Sequence, residues 1–300
     1  MEDTTLIELS SVARRVDREG RFLEEAAFRD VDGSKVFTVA HIPDAGARTG
    51  VVVCCSILVE HLTNYRHEVL LARSLAANGI AVQRFHYRGT GHSTGDEEAT
   101  SLETMVEDTR AAAGFLRERT GINRVVFLGT RLGAMVAGLA AQPHPESPLV
   151  LWEPAADGAR YFRELIRGRL VRELRDASLA AGSTDAWKSE LEEKGWVDIL
   201  GYPLRKSMYE SGRGQRLDAV LAGRTGPILL VQFGRQNVLR PDYVRLRDQQ
   251  GARGGAVDVR FIRDEPAWFF PGHRMKSAGE LIALTTDWLA QVDGRRPAPR

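Results

Sequence analysis

The sequence predicts an α/β fold: a mostly parallel sheet with helices on both faces and a helical insertion over one end. Three observations predict it. Strand patterns and helix patterns alternate along most of the chain. Several strand candidates are continuous apolar runs, as expected where both faces are buried. One long charged stretch, helical in tendency, interrupts the alternation before the last two strands.

The elements follow in order. "RFLEEAAFRDVDGSKVFTVAHI" predicts a hairpin turning at Asp32-Gly33. "TGVVVCCSIL" predicts a strand buried on both faces, and a helix follows from about Tyr65 to Asn78, stopped by Gly79. "IAVQRFHY" is a strand, "RGTGHSTGDEEAT" a Gly-rich loop, and "SLETMVEDTRAAAGFLRERTG" a helix opened by a Ser-x-x-Thr pattern. "RVVFLG", "SPLVLWEP", "GPILLVQFG" and "AVDVRFI" continue the strands, and "SAGELIALTTDWLAQV" closes with a helix. The expected organisation is an N-terminal extension at 1–20 and a core formed by 21–154 and 222–292. A helical cap at 155–221 and a disordered tail at 293–300 complete it.

Composition narrows the function classes. The chain has 300 residues, is 43% hydrophobic and 27% charged, and carries a net charge of +1. That is ordinary globular usage, and it gives no basis for a nucleic-acid surface. No stretch approaches the roughly 20 apolar residues of a membrane span, and the start lacks a secretory leader pattern, so a cytoplasmic location is expected. Cys54 and Cys55 are neighbours in an apparent strand, which makes a disulfide between them implausible. With one adjacent Cys pair and seven scattered His, no metal or other cofactor is expected. The expected partner is a small molecule with an anionic group, and the chain is compatible with a homodimer.

In open α/β sheets, functional groups gather beyond the carboxyl ends of the strands. The exits here give Ser56 to His61, Arg88 to Ser93, Gly129-Thr130-Arg131-Leu132-Gly133, Glu153-Pro154, Gly234 to Asn237 and Pro271-Gly272-His273. Over roughly Arg21 to Val292 this series resembles the α/β-hydrolase fold superfamily, whose nucleophile sits in a Gly-x-nucleophile-x-Gly elbow at a sharp strand-to-helix turn. The resemblance places His273 at the family's general base, Asn237 where its acid would stand, and "YRGTGHSTGD" at an architectural loop. The narrower likeness is to hydrolase-like proteins associated with exosortase and exopolysaccharide gene clusters. These share a Gly-x-Arg-Leu-Gly-Ala elbow, a Glu with Asn-x-x-Arg, and Trp-x-Pro. Here those are Gly129 to Ala134, Glu60 with Asn64 and Arg66 or His67, and Trp152 to Pro154.

Arg131 occupies the nucleophile's place. A guanidinium stays protonated and has no acceptor lone pair, so it serves as neither nucleophile nor base. Asn237 orients a histidine but offers it no full negative charge. Serine-hydrolase chemistry through this elbow is excluded. The elbow glycines then have two explanations. One is close packing of helix on strand. The other is presentation of Arg131 at a pocket floor, where a buried cation demands a partner. That partner is an internal acid, with Glu60, Glu153 and Asp157 as candidates, or an anionic ligand.

Three functional readings follow. The first is an enzyme acting without a serine nucleophile on a small carbonyl, acyl or anionic metabolite. In it Arg131 anchors an anion or oxyanion, and His273 is general acid/base with Glu60 or Glu153. Ser56, Ile57, Leu132 and Trp268 would line its pocket. The second is a catalytically inactive binding or scaffold protein with Arg131 neutralised by an internal Glu. The third relocates the nucleophile to Ser56 or Cys55. Each residue also has a plain structural explanation: buried small side chains for the cysteines, a hydrophilic loop for Glu60-His61, a solvated residue before proline for Glu153. The surroundings of Arg131 discriminate between the first two.

Overall fold

A computed structural model describes residues 12–175, 186–265 and 275–294. Its centre is a nine-stranded sheet of order β1-β2-β3-β5-β4-β6-β7-β10-β11. The strands are β1 (Ala13–Asp17), β2 (Phe22–Val31), β3 (Ser34–Pro43), β4 (Thr49–Cys54), β5 (Ala81–Phe85), β6 (Arg124–Thr130), β7 (Leu149–Trp152), β10 (Ile228–Phe233) and β11 (Val257–Ile262). Pairing is antiparallel from β1 to β5 through β2 and β3, and parallel from β5 onward.

The continuous apolar runs have a direct explanation in this sheet. On β4, Val51 and Val53 pack into one core layer while Val52 and Cys54 pack into the other. The same alternation holds on β6 and β10, so side chains of both parities are buried. The first layer is closed by α1 (Leu58–Ala77) and α9 (Ala278–Val292), the second by α2 (Leu102–Thr120) and α3 (Gly133–Ala140) with the cap.

Three differences from the sequence expectation have physical causes. The predicted extension at 1–20 contributes β1 to the sheet. Four of this edge strand's five residues are exposed, and it carries charge instead of apolar alternation. Its register on β2 is held by Arg14–Glu25 at 3.0 Å and Arg15–Glu24 at 2.9 Å, a charged edge that discourages further pairing. Helix α1 begins at Leu58, two turns before the expected Tyr65. Its first turns carry Glu60 and Asn64, both buried, so polarity there marks an interior polar face and not a loop.

The 155–221 segment is not purely helical. It holds α4 (Gly158–Arg175), α5 (Ala186–Lys194), α6 (Lys206–Arg213) and α7 (Leu217–Val220), plus a hairpin of β8 (Trp196–Ile199) and β9 (Tyr202–Arg205). The hairpin turns on Leu200 and Gly201, both at positive φ. That two-residue geometry usually announces itself with Asn-Gly or Asp-Gly, which is absent here. Of the predicted tail, Asp293 and Gly294 follow α9 directly, and the Asp293 carboxylate accepts from the Thr49 hydroxyl. The other residues of the tail lie outside the described residues.

Candidate functional site: a neutralised elbow beside an open pocket

The turn between β6 and α3 has the tight geometry the glycines suggested. A Cβ on Gly129 would overlap the Gly133 carbonyl, and one on Gly133 would overlap the Cys54 carbonyl oxygen. Arg131 sits at the apex with φ 55°, in the left-handed region that costs a non-glycine residue on the order of 1–2 kcal/mol. Its backbone N–H donates to the Trp152 carbonyl and its carbonyl accepts from Ala155, which pins the turn against β7. Leu58 and Glu153, at the exits of β4 and β7, also hold positive φ. Three central exits of the sheet are therefore strained side by side.

Arg131 does not project into open space. It is 1% exposed, and its Nε donates to Glu60 Oε1 at 2.9 Å. Its Nη2 donates to Glu164 Oε2 at 3.1 Å, and its guanidinium lies over the Tyr161 ring, 5.4 Å from the centroid. The Tyr161 hydroxyl donates to the second Glu60 oxygen at 2.7 Å. Burial raises the Glu60 pKa, and the adjacent guanidinium opposes that shift. The surrounding acids outweigh burial at Arg131 and keep it protonated. Glu164 receives a second cation, Arg160, at 3.1 Å.

Sequence reasoning identified Glu60 as a possible partner but did not name Tyr161 or Glu164. Those two lie three residues apart on one face of α4. That spacing is visible in the sequence, but the docking of α4 on the elbow is not.

The other expected site residues lie as follows. Glu153, 4% exposed, accepts from the Phe233 amide at 2.7 Å and pairs with Arg240 at 3.3 Å; burial raises its pKa. It ties the exit of β7 to that of β10. Asn237 is exposed in the loop before α8 (Pro241–Ala252). Leu132 is fully buried in the core. His273 and Trp268 lie outside the described residues. Burial pushes both cysteine thiols well up, which disfavours a thiolate at either position.

A cavity of about 400 Å³ opens beside the elbow, between the exits of β4 and β5 and the β8–β9 hairpin. Ser56, Ile57 and Cys55 line it, whereas Arg131, Leu132 and Glu60 do not. Ser56 is 1% exposed, and its hydroxyl has no hydrogen-bond partner among the described residues. His61 Nδ1 is likewise without a partner among them. His86 forms another wall and stands edge-on to His61, with ring centroids 5.4 Å apart. The His92 backbone amide donates to His86 Nδ1 at 3.0 Å, which places a neutral His86's proton on Nε2. Gly91 permits this approach, because a Cβ there would overlap the His86 ring. No cluster of His, Cys, Asp or Glu among the described residues is arranged to hold a metal ion, and no helix among them is long and apolar enough to cross a membrane.

The fold recurs in known structures. Est1E from Butyrivibrio proteoclasticus, with ferulic acid bound, superposes with a TM-score of 0.66 over 90% of this chain and 100% of that one, at 15% identity. The chain has the α/β-hydrolase fold. An α/β serine hydrolase homologue from Coxiella burnetii shares the fold with a TM-score of 0.55 at 16% identity, over 89% of this chain and 97% of that one. A family model described as Hydrolase_4, serine aminopeptidase, S33, matches residues 46–188 of this α/β-hydrolase-fold chain. Esterase EstD from Thermotoga maritima is 29% identical over 171 residues, 55% of this chain and 40% of the esterase. The match thus spans well under half of that relative's length. These matches agree on the α/β-hydrolase fold.

Proposed function

We propose that this protein binds a small molecule in the Ser56 pocket and performs no hydrolysis through its elbow. One observation carries the reading: the Arg131 guanidinium is committed to Glu60 and Glu164, while the open cavity lies beside it. An external anion at Arg131 would have to displace two carboxylates, one of them buried with its second oxygen held by Tyr161. Removing a partner from such a buried pair costs about 3–5 kcal/mol, more than one new charge-assisted bond returns.

A second reading is favoured by Ser56, which lines the cavity and whose hydroxyl has no partner among the described residues, and by the similarity to an esterase. In it Ser56 is the nucleophile of a relocated hydrolase site. Its weakness is activation, because no base is hydrogen-bonded to that hydroxyl among the described residues.

One experiment separates these readings. Purified protein is treated with a fluorophosphonate, mapped by mass spectrometry, and assayed on ester, thioester and lactone panels. The binding reading expects no adduct and no turnover. An adduct on Ser56, with turnover lost in Ser56→Ala, would establish the second reading. Turnover abolished by both Arg131→Ala and His273→Ala would return catalysis to the elbow and overturn the proposal.

A further inference from the structure

The pocket wall carries little uncompensated charge. Of its charged residues, Arg205 is paired with Glu97 at 2.5 Å and lies 3.9 Å from Glu98. At the inner end stand Ser56, His61 and His86. Burial lowers the His61 pKa to about 4 and that of His86 to about 3, so both rings are neutral at pH 7. The hydrogen bond from the His92 amide agrees, because it requires a lone pair on His86 Nδ1. His92 itself is exposed.

The inner end is nevertheless polar and unsatisfied. The Ser56 hydroxyl can both donate and accept, and it has no partner among the described residues. His61 also lines the pocket, and its buried Nδ1 has no partner among the described residues. Buried polar atoms of this kind destabilise the free protein unless something bonds them. Toward the hairpin the surface is apolar, with Ile57, Leu62, Tyr202, Leu204 and Met208. The volume lies within the roughly 300–1,000 Å³ of small-molecule sites.

We infer that the pocket takes an uncharged amphipathic molecule, its single hydroxyl or carbonyl oxygen bonded at Ser56 and His61 and its apolar body under the β8–β9 hairpin. The inference rests on the ligand-binding reading above and replaces the anionic ligand expected from Arg131. A carboxylate at the inner end would be desolvated, because among the described residues the one Lys or Arg lining the pocket, Arg205, is paired with Glu97 and Arg131 is enclosed by Glu60, Glu164 and Tyr161. An ammonium would meet, among the described lining residues, no carboxylate except Glu97, which already receives Arg205. A hydroxyl satisfies both orphaned atoms at once, accepting from Ser56 and donating to His61 Nδ1. A carbonyl oxygen instead accepts from Ser56, with the His61 proton shifted to Nδ1.

The test is calorimetric titration at pH 7 with four probes sharing one chain length: octanol, octyl acetate, octanoate and octylammonium. Octanol or octyl acetate is expected to bind at least tenfold more tightly than either charged probe. Ser56→Ala is expected to weaken octanol about fivefold or more, and Leu204→Trp, which fills the apolar end, to abolish binding of both neutral probes. Circular dichroism of each variant separates loss of the site from loss of the fold, and Ser56→Ala retains the pocket's shape. Octanoate binding as tightly as octanol would overturn the neutral-ligand inference while leaving the binding reading intact. Failure of all four probes would overturn both.

Discussion

Tyr161 on the cap donates its hydroxyl to Glu60 on α1 over 2.7 Å, joining two segments separated by 101 residues. The bond lies in a buried cluster with Arg131 and fastens the cap to the sheet's carboxyl edge. Because its acceptor is a charged group, its loss is expected to cost about 1.5–3 kcal/mol. Tyr161→Phe removes the hydroxyl and little volume, so urea unfolding should show a lower midpoint with an unchanged slope. A shift of only a few tenths of a kcal/mol would show that the cap is held elsewhere.

Arg131 and Glu60 are each 1% exposed; cutting Arg131 leaves Glu60 buried without its cation, whereas cutting Glu60 leaves Arg131 its contact with Glu164. Arg131→Met is expected to destabilise by about 3–5 kcal/mol. The double variant Arg131→Met with Glu60→Leu removes both charges and should be more stable than the single variant. The four unfolding free energies form a cycle. Additive losses would argue against direct coupling between these two side chains.

Glycine is required at the elbow but not throughout the chain. Gly133→Ala drives a Cβ into the Cys54 carbonyl, so its cost is expected at or above the upper end of the about 1–3 kcal/mol of ordinary overpacking. Gly114, exposed on α2, has open space at its Cβ position. Gly114→Ala should stabilise by about 0.4–1 kcal/mol through helix propensity and reduced unfolded-state entropy. Thermal melts of the two variants should move in opposite directions.

Glu68 is buried on α1 and accepts from Asn64 at 2.9 Å. Burial raises its pKa from 4.5 to about 7, opposed by Arg84 and by the Asn64 bond. Here the folded state binds the proton more tightly than the unfolded state. Glu68 therefore lowers stability progressively as pH rises from about 4.5 to about 7, and the loss levels off above that. Integrated over the interval, this is roughly 3 kcal/mol. Glu68→Gln cannot ionise, so relative to wild type it should gain stability between pH 5 and pH 8 and show little difference near pH 4.5. Urea midpoints across that range check the sign, and a constant difference would contradict it.

Much of the architecture was legible because burial leaves a mark on the sequence. The apolar runs of β4, β6 and β10 reflect strands covered on both faces, and the spacing of Gly129 and Gly133 marked the tight turn. What escaped was held by charge or by tertiary docking. Strand β1 pairs through its arginines with glutamates of β2, and its five residues fall in the expected N-terminal extension. The β8–β9 hairpin turns on Leu-Gly within a charged segment, so its turn signal was weak. At the site, the need for an acid beside Arg131 followed from desolvation, and Glu60 was among the candidates. Glu164, Tyr161 and the hairpin wall of the pocket depend on where the cap settles, and no local pattern encodes that.

The contact of Gly133 with the Cys54 carbonyl has a wider consequence. It fixes the separation between helix α3 and strand β4, a dimension the whole sheet depends on, whatever residue stands at the apex. A Gly-x-x-x-Gly pattern at this junction therefore measures interlayer distance and says nothing of reactivity. The two glycines set the architecture of the turn, and the residue between them is free of that constraint.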